Sequence, residues 1–326
     1  TTCFIIYHML SNLGKRAGLI TSISARIGNK EIDTGFHVTS PDVISLHKLL
    51  KEMVDEGCRY AVVEVSSHGI DQKRIAGVNF EIGVLTNIAP EHLDYHGTFK
   101  EYKRVKMSFI NSCRYKVLSP SETDLDVLPG KFNNLNLEAA LKTMDFLGVD
   151  RESALKTMNS FHLPVGRLEE IPGGNGPRIM VDFAHTPDSL EAVLSYLRST
   201  TKGKLIAVFG CAGERDKHKR YKMGKLSSQL ADISVFTAED PRNENIFDIL
   251  SKMRRGALDA GGKEGINFFR IPERGEGIAF ALSMAKKGDT VAVLGKGHEK
   301  SMAFDEWEHP WDDHEIINNY LNRDGT

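Results

Sequence analysis

Two stretches of the chain place groups able to hold a cation and an anionic substrate directly after apolar runs. Tyr60-Ala-Val-Val-Glu-Val65 leads into Glu64-Val-Ser-Ser-His-Gly-Ile-Asp-Gln-Lys-Arg74, and Phe80-Glu-Ile-Gly-Val-Leu85 leads into Thr86-Asn-Ile-Ala-Pro-Glu-His92-Leu-Asp-Tyr-His96-Gly97. Each apolar run reads as a buried strand, so the polar groups fall at strand exits, where open α/β sheets bind ligands. One such segment is as readily an ordinary loop as a site. Two in one chain, with a carboxylate, imidazoles, hydroxyls and an arginine, favour a site for a metal and an anion.

Four further clusters follow apolar runs in the second half: Asp182-Phe-Ala-His185-Thr-Pro-Asp188, Gly210-Cys-Ala-Gly-Glu-Arg215-Asp-Lys-His-Lys-Arg220, Glu239-Asp240-Pro241-Arg242 and Gly295-Lys-Gly-His-Glu299. Taken singly, each is a turn with solvated charges; together they describe one crevice built from several loops. A nucleotide enzyme also needs a phosphate cradle, whose full form is G-x-x-x-x-G-K-[ST]. No Gly-Lys-Thr or Gly-Lys-Ser occurs, but Thr1-Thr2 stand where the tail of that motif would enter a helix.

The elements that must carry these groups alternate. Up to residue 162 the pattern predicts helices near 3–13, 41–56, 98–112, 136–147 and 151–159, with strands near 17–21, 60–65 and 78–87, a layout for a largely parallel sheet. Residues 113–132, with Ser119-Pro-Ser-Glu-Thr-Asp-Leu-Asp126, read as a loop. Leu163-Pro-Val-Gly-Arg167 breaks the helical pattern. A second alternation follows, with strands near 178–183, 204–209, 232–237, 268–271 and 289–294 and helices near 187–198, 219–230, 245–259, 273–286 and 312–322. The fold class is therefore α/β, with one domain over 1–162 and a second, Rossmann-like domain over 163–326.

Composition narrows the function. The 326 residues are 40% hydrophobic and 26% charged, with a formal net charge of −2, so a basic surface for nucleic acid is not expected. Cys3, Cys58, Cys113 and Cys211 lack metal-ligand spacing and suit a reducing compartment. No apolar run approaches membrane length and no signal pattern is present, so the expectation is a cytoplasmic protein without membrane insertion.

With these motifs in order, together with Gly130-Lys-Phe-Asn-Asn-Leu-Asn136 and Val165-Gly-Arg-Leu-Glu169, the chain resembles the Mur ligase family from Thr1 to about residue 322, most of all its tripeptide-synthetase branch. The resemblance implies a truncated P-loop-type central ATPase domain followed by an amino-acid-binding domain. It implies an ATP- and Mg2+-dependent ligase of peptidoglycan synthesis, hence of cell-wall biogenesis, cell shape and division. ATP would phosphorylate a substrate carboxylate to an acyl phosphate, which an incoming amine attacks; positioning and charge neutralisation carry most of such catalysis. The substrates would be UDP-N-acetylmuramoyl-L-alanyl-D-glutamate and a diamino acid, handled by a monomer.

Residue by residue, the resemblance makes Glu64, His92 and the Thr1 hydroxyl magnesium ligands. Lys106 becomes a lysine carbamylated by carbon dioxide that helps hold the metal. The muramoyl peptide would meet Thr39, Ser40, Ser66, Gln72 and Arg74. ATP would meet Thr1, Thr2, Asn136, Arg167 and Asp182, and Lys106, Arg167 and His185 would be catalytic. The added amino acid would meet Arg215, Glu239, Asp240, Arg242, Gly295 and Glu299. Where the diaminopimelate-adding branch reads Asp-Asn-Pro-Arg, this chain reads Glu239-Asp240-Pro241-Arg242. Arg242 favours meso-diaminopimelate, whose distal carboxylate lysine lacks, whereas Asp240 adds a negative charge that could suit a distal ammonium.

The resemblance also leads one to expect an N-terminal domain and the body of the P-loop before Thr1, so that the 326 residues alone would bind ATP poorly and be inactive. The connection 113–131 would be shorter than in relatives by several tens of residues. Competing readings are a lysine-adding or folylpolyglutamate-synthetase-like ligase, or a non-catalytic binding remnant.

Overall fold

In a computed structural model that describes residues 1–32 and 39–324, the chain forms two compact units, Thr1–Leu163 and Pro164–Thr326. In the first, helix α1 (Thr2–Asn12) is followed by β1 (Ala17–Ile20), the hairpin strands β2 (Ala25–Ile27) and β3 (Lys30–Ile32), α2 (Val43–Asp55) and β4 (Tyr60–Val63). Then come α3 (Ser67–Asp71), β5 (Ile82–Val84), α4 (Leu93–His96), α5 (Phe99–Ser112), β6 (Tyr115–Val117), α6 (Lys131–Phe146) and α7 (Arg151–Thr157). The pairs β1–β4 and β5–β6 are parallel; β2 and β3 extend the first sheet antiparallel, in the order β3-β2-β1-β4.

Apolar spacing explains the packing. Ile5, Met9 and Leu10 of α1 interlock with Leu137, Leu141 and Met144 of α6, all buried, while Leu46 and Met53 of α2 cover Ile20, Ala25 and Ile27. Removing one such leucine side chain costs roughly 2–5 kcal/mol. Asp42 caps α2 by accepting from Ile44 N and Ser45 N, and Thr98 caps α5 through Glu101 N.

The second unit holds β7 (Glu169–Ile171), β8 (Arg178–Asp182), α8 (Pro187–Thr200), β9 (Leu205–Phe209), α9 (His218–Leu230), β10 (Ile233–Phe236) and α10 (Ile246–Asp259). It continues with β11 (Phe268–Arg270), α11 (Arg274–Met284), β12 (Thr290–Leu294), the hairpin β13 (Ser301–Phe304) and β14 (Trp307–Pro310), and α12 (Asp313–Asp324). The sheet order is β11-β10-β9-β12-β8-β7, parallel except for the edge strand β7. β9 and β12 are buried at every position, as strands covered on both faces must be. Because β12 returns between β8 and β9, the exits of β8, β9 and β12 lie side by side at the switch in strand order.

Several elements differ from the sequence expectation. Within the presumed loop 113–132 lies β6, which pairs with β5 from Ile82↔Tyr115 to Val84↔Val117; three residues are too few to display alternation. Helix α6 starts at Lys131 rather than near 136, because the Asn134 side chain closes the preceding turn onto Val127 N, Leu128 N and Leu128 O. The hairpins β2–β3 and β13–β14 are extra antiparallel additions to the parallel plan.

Candidate active site

In the first unit the sequence-derived candidates lie in several small bonded sets near the strand exits and helix ends. At the start of α1, Thr1 is the N-cap residue and Thr2 Oγ1 donates to Asn136 Oδ1 at 3.1 Å, joining both helices assigned to ATP. Asn136 lies inside α6, not at its start. Glu64, just past β4, accepts from Ser22 N (3.0 Å) and Ser22 Oγ (3.2 Å). Its charge reaches α1: desolvation and then Glu64 push the Cys3 thiol up to about 12.

Past Glu64, Ser66 caps α3 through Gly69 N (3.0 Å), and its own amide donates to Ser40 Oγ (3.1 Å). Arg74 Nη1 donates to Ser40 O (3.0 Å), so Ser40, Ser66 and Arg74 form one bonded patch, with half-buried Thr39 next to it in the chain. Gln72 is exposed and donates to Tyr95 Oη at 3.3 Å; that hydroxyl in turn donates to Asp71.

His92 occupies the left-handed region at φ 56°, where a residue with a bulky side chain is uncommon, and opens α4. Its ring packs edge-on against His68 (4.8 Å between centroids) and lies 6.3 Å from Tyr102; Glu91 Oε1 is 3.8 Å from its Nε2. The Lys106 ammonium sits 4.9 Å over the same Tyr102 ring. Burial lowers the Lys106 pKa, opposed by Glu91, which is the condition for a neutral amine. His92 and Lys106 are thus neighbours around Tyr102, while Glu64 is braced by Ser22. Among the described residues no group of three or more His, Cys, Asp and Glu is arranged to hold a metal ion. The donors present are a carboxylate, an imidazole, a hydroxyl and a desolvated lysine.

In the second unit Asp182, at the end of β8, is buried, and both oxygens accept backbone amides: Oδ2 from Leu168 N (2.7 Å) and Oδ1 from Ala184 N (2.8 Å). It braces the loop that carries Arg167, and each oxygen, with one amide bound, retains a second acceptor lone pair. Burial raises its pKa, with the Arg167 charge opposing. The Arg167 guanidinium lies 4.5 Å over the Phe183 ring, and its Nε is buried with no hydrogen-bond partner. His185 Nδ1 pairs with Phe183 O (2.8 Å), and Lys219 donates to His185 O (2.9 Å). Gly166, at φ 68°, packs its backbone against Gly297 and His298 so closely that a Cβ would clash, tying this loop to the β12 exit.

The remaining candidates surround the exits of β10 and β12. Glu239 is 5% exposed, with Oε2 unpartnered and its pKa raised by burial; a Cβ on Gly295 would come within 2.6 Å of that oxygen. Only glycine, here at φ 107°, leaves this space. Asp240 and Arg242 both take positive φ, 43° and 51°. Arg242 is half-buried and donates through Nη1 to Gly213 O at 3.4 Å. Arg215 is exposed on the β9 loop. Buried Lys296 bridges Asp240 and Glu299, meeting Oδ1 of the first at 2.8 Å and Oε2 of the second at 2.7 Å.

Sequence reasoning passed over Lys296, although it lies inside Gly295–Glu299, because a lysine between glycines reads as solvated. It also missed Arg274, fully buried and paired with Asp313 at 2.6 and 2.7 Å while donating to Ala238 O and Leu294 O. Partners 39 residues apart leave no local signal. No helix among the described residues is long and apolar enough to cross a membrane.

Comparison with known proteins agrees with this layout. Residues 1–138 match the Mur ligase middle domain, and residues 166–297 match the Mur ligase glutamate ligase domain. The chain is 34% identical over 370 residues to the UDP-N-acetylmuramoyl-L-alanyl-D-glutamate--2,6-diaminopimelate ligase of Cytophaga hutchinsonii, covering 98% of this chain and 75% of that protein. It is 33% identical over 364 residues to the UDP-N-acetylmuramyl-tripeptide synthetase of Deinococcus radiodurans, covering 96% and 74%. Both aligned spans exceed the 326 residues here. A solved UDP-N-acetylmuramoyl-L-alanyl-D-glutamate--2,6-diaminopimelate ligase superposes with a TM-score of 0.60 at 26% identity, covering 100% of this chain and 76% of that one. MurF from Acinetobacter baumannii, at 16% identity, a TM-score of 0.70 and 98% and 74% coverage, shows the shared fold. With two domain matches in order and relatives above 30% identity along nearly its whole length, the chain belongs to the Mur ligase family.

Proposed function

We propose that this protein is an ATP-dependent amide-bond ligase that adds meso-diaminopimelate to UDP-N-acetylmuramoyl-L-alanyl-D-glutamate in peptidoglycan synthesis. The observation that carries the choice of amino acid is the pairing of Asp240 with Lys296 (2.8 Å) beside Arg242, whose guanidinium makes a single long bond to Gly213 O among the described residues. The extra acidic residue is neutralised within the protein. The arginine keeps N–H donors for a carboxylate, in the planar geometry that suits bidentate binding. A lysine substrate would bring an ammonium to that guanidinium, a like-charge approach.

Chemically, a carboxylate must be activated before an amine can displace an oxygen from it. ATP supplies the phosphoryl group, the acyl phosphate forms, and the amine attacks to give a tetrahedral intermediate that expels phosphate. Arg167, with its unpartnered buried Nε, is suited to hold phosphate oxygens, and stacking on Phe183 fixes its plane. The bond from Thr2 to Asn136 ties the start of α1 to the body of α6, the two helices assigned to the nucleotide. Ser40, Ser66 and Arg74 offer hydroxyls and a cation for the muramoyl peptide's amides and carboxylates, with Thr39 and Gln72 flanking.

The donor set fits magnesium. The oxygens of Glu64 and Thr1 are hard ligands, His92 is a less usual third, and the lowered pKa of Lys106 suits conversion to a carbamate oxygen donor. A bound Mg2+ would supply charge neutralisation for the phosphates. Glu239 feels the positive charges of Lys219 and His185, and Lys219 donates to the His185 carbonyl, which supports assigning this cluster to the incoming amine. The test is phosphate release by the full-length protein its gene encodes, offered UDP-muramoyl dipeptide or a folate with a panel of amino acids. Release dependent on the muramoyl dipeptide and diaminopimelate is expected. Release dependent on folate and glutamate, or none with any acceptor, refutes the reading.

A further inference from the structure

Resting on that reading, we propose that Lys296 is a positioning residue that sets amino-acid selectivity, by holding Asp240 and Glu299 together and withdrawing the charge of Asp240 from the pocket that Arg242 serves. The Lys296 side chain is fully buried, with Nζ 2.8 Å from Asp240 Oδ1 and 2.7 Å from Glu299 Oε2. Asp240 Oδ1 also accepts from Ala303 N at 2.9 Å, and Arg242 N donates to Ala303 O at 3.1 Å. One ammonium therefore locks the β10 exit, the β12 exit and the start of β13 into a single frame, and Arg242 is carried on that frame. Burial disfavours the Lys296 charge, but the two carboxylates outweigh it and the net pKa shift is upward, so the pair stays ionic.

The consequence is electrostatic. Asp240, Glu299 and Lys296 together carry one net negative charge, where an uncompensated Asp240 would present a second acidic group next to Arg242. Buried Glu239 lies at the same exits, and Arg274 is itself neutralised by Asp313. The selectivity between diaminopimelate and lysine should then follow the charge of the Lys296 triad.

The experiment measures kcat/KM of the full-length protein for diaminopimelate and for L-lysine in four forms: wild type, Lys296→Met, Asp240→Asn, and the double variant. Lys296→Met makes the triad one charge more negative, and the diaminopimelate-to-lysine ratio should fall by about tenfold or more. Asp240→Asn makes it one charge less negative, and the ratio should rise. In the double variant the charge returns to the wild-type value, and the ratio should return to within about threefold of wild type. If Lys296→Met does not fold, Asp240→Asn and the double variant decide the matter alone. A ratio unchanged across the folded variants, or moved the same way by both single changes, overturns the inference. A wild type that uses neither amino acid overturns the ligase reading instead, so the two failures are distinguishable.

Discussion

Asp313→Ala should destabilise the second unit by about 3–5 kcal/mol, because it strips the partner from a fully buried arginine. Arg274 and Asp313 are both 0% exposed, and the guanidinium meets the carboxylate through Nε (2.7 Å) and Nη2 (2.6 Å). Trp311 Nε1 donates to the same carboxylate at 2.8 Å and would lose its acceptor too. Arg274 also donates through Nη1 to Ala238 O, two residues past β10, and through Nη2 to Leu294 O, the last carbonyl of β12. An uncompensated guanidinium must then either draw in water or pull away from those carbonyls. For a unit of this size the loss corresponds to a fall of roughly 6–20 °C in melting temperature. Since Ala238 and Leu294 immediately precede Glu239 and Gly295, the KM for the amino acid should rise even where the variant remains folded. The assay is urea and thermal denaturation of the single variants and of Arg274→Met/Asp313→Leu. The double variant should recover most of the loss, because an apolar pair of similar volume leaves no buried charge. A loss below about 1 kcal/mol in Asp313→Ala, or a double variant as unstable as the sum of its parts, would refute the reasoning.

Other expectations follow from the same geometry. The Arg220 bond holds the Glu244 carboxyl down at about 2 against an ordinary 4.5. Its contribution of roughly 1–3 kcal/mol is present above pH about 4.5 and lost as pH falls towards about 2; Glu244→Gln should remove it at neutral pH and flatten that acid limb, as read by denaturation at several pH values. Asn136→Ala breaks the bond to Thr2 and should raise the KM for ATP by roughly tenfold with a smaller change in the KM for the amino acid, measured by initial rates. Because burial lowers the Lys106 pKa, its protonation opposes folding, and that penalty is relieved as pH rises from the folded towards the unfolded lysine value. The neutral fraction should also make activity depend on carbon dioxide, with depleted buffer losing activity and bicarbonate restoring it; Lys106→Arg should abolish the dependence.

The α/β plan and the helices with strong apolar spacing were legible in the sequence. α1, α2 and α5, and strands β8, β9 and β12, fall where periodicity places them. What failed to show was short or non-local. β6 is three residues long, β7 is an edge strand of two glutamates and an isoleucine, and the β13–β14 hairpin is polar on its outer strand. For the site, motif spacing located the strand exits but not the division of labour among the charges. Spacing does not show that a buried Lys296 bridges Asp240 and Glu299, or that both oxygens of Asp182 accept backbone amides. Pairings such as Arg274–Asp313 depend on the sheet order and have no trace in local sequence.

The most direct test of the central claim is the mass of the nucleotide product made by the full-length protein from ATP, Mg2+ and UDP-N-acetylmuramoyl-L-alanyl-D-glutamate, with diaminopimelate and L-lysine present in equal amounts. A product heavier by one diaminopimelate residue, with the lysine adduct a minor species, is predicted. A dominant lysine adduct, or nucleotide recovered unchanged while ATP is consumed, would contradict the account.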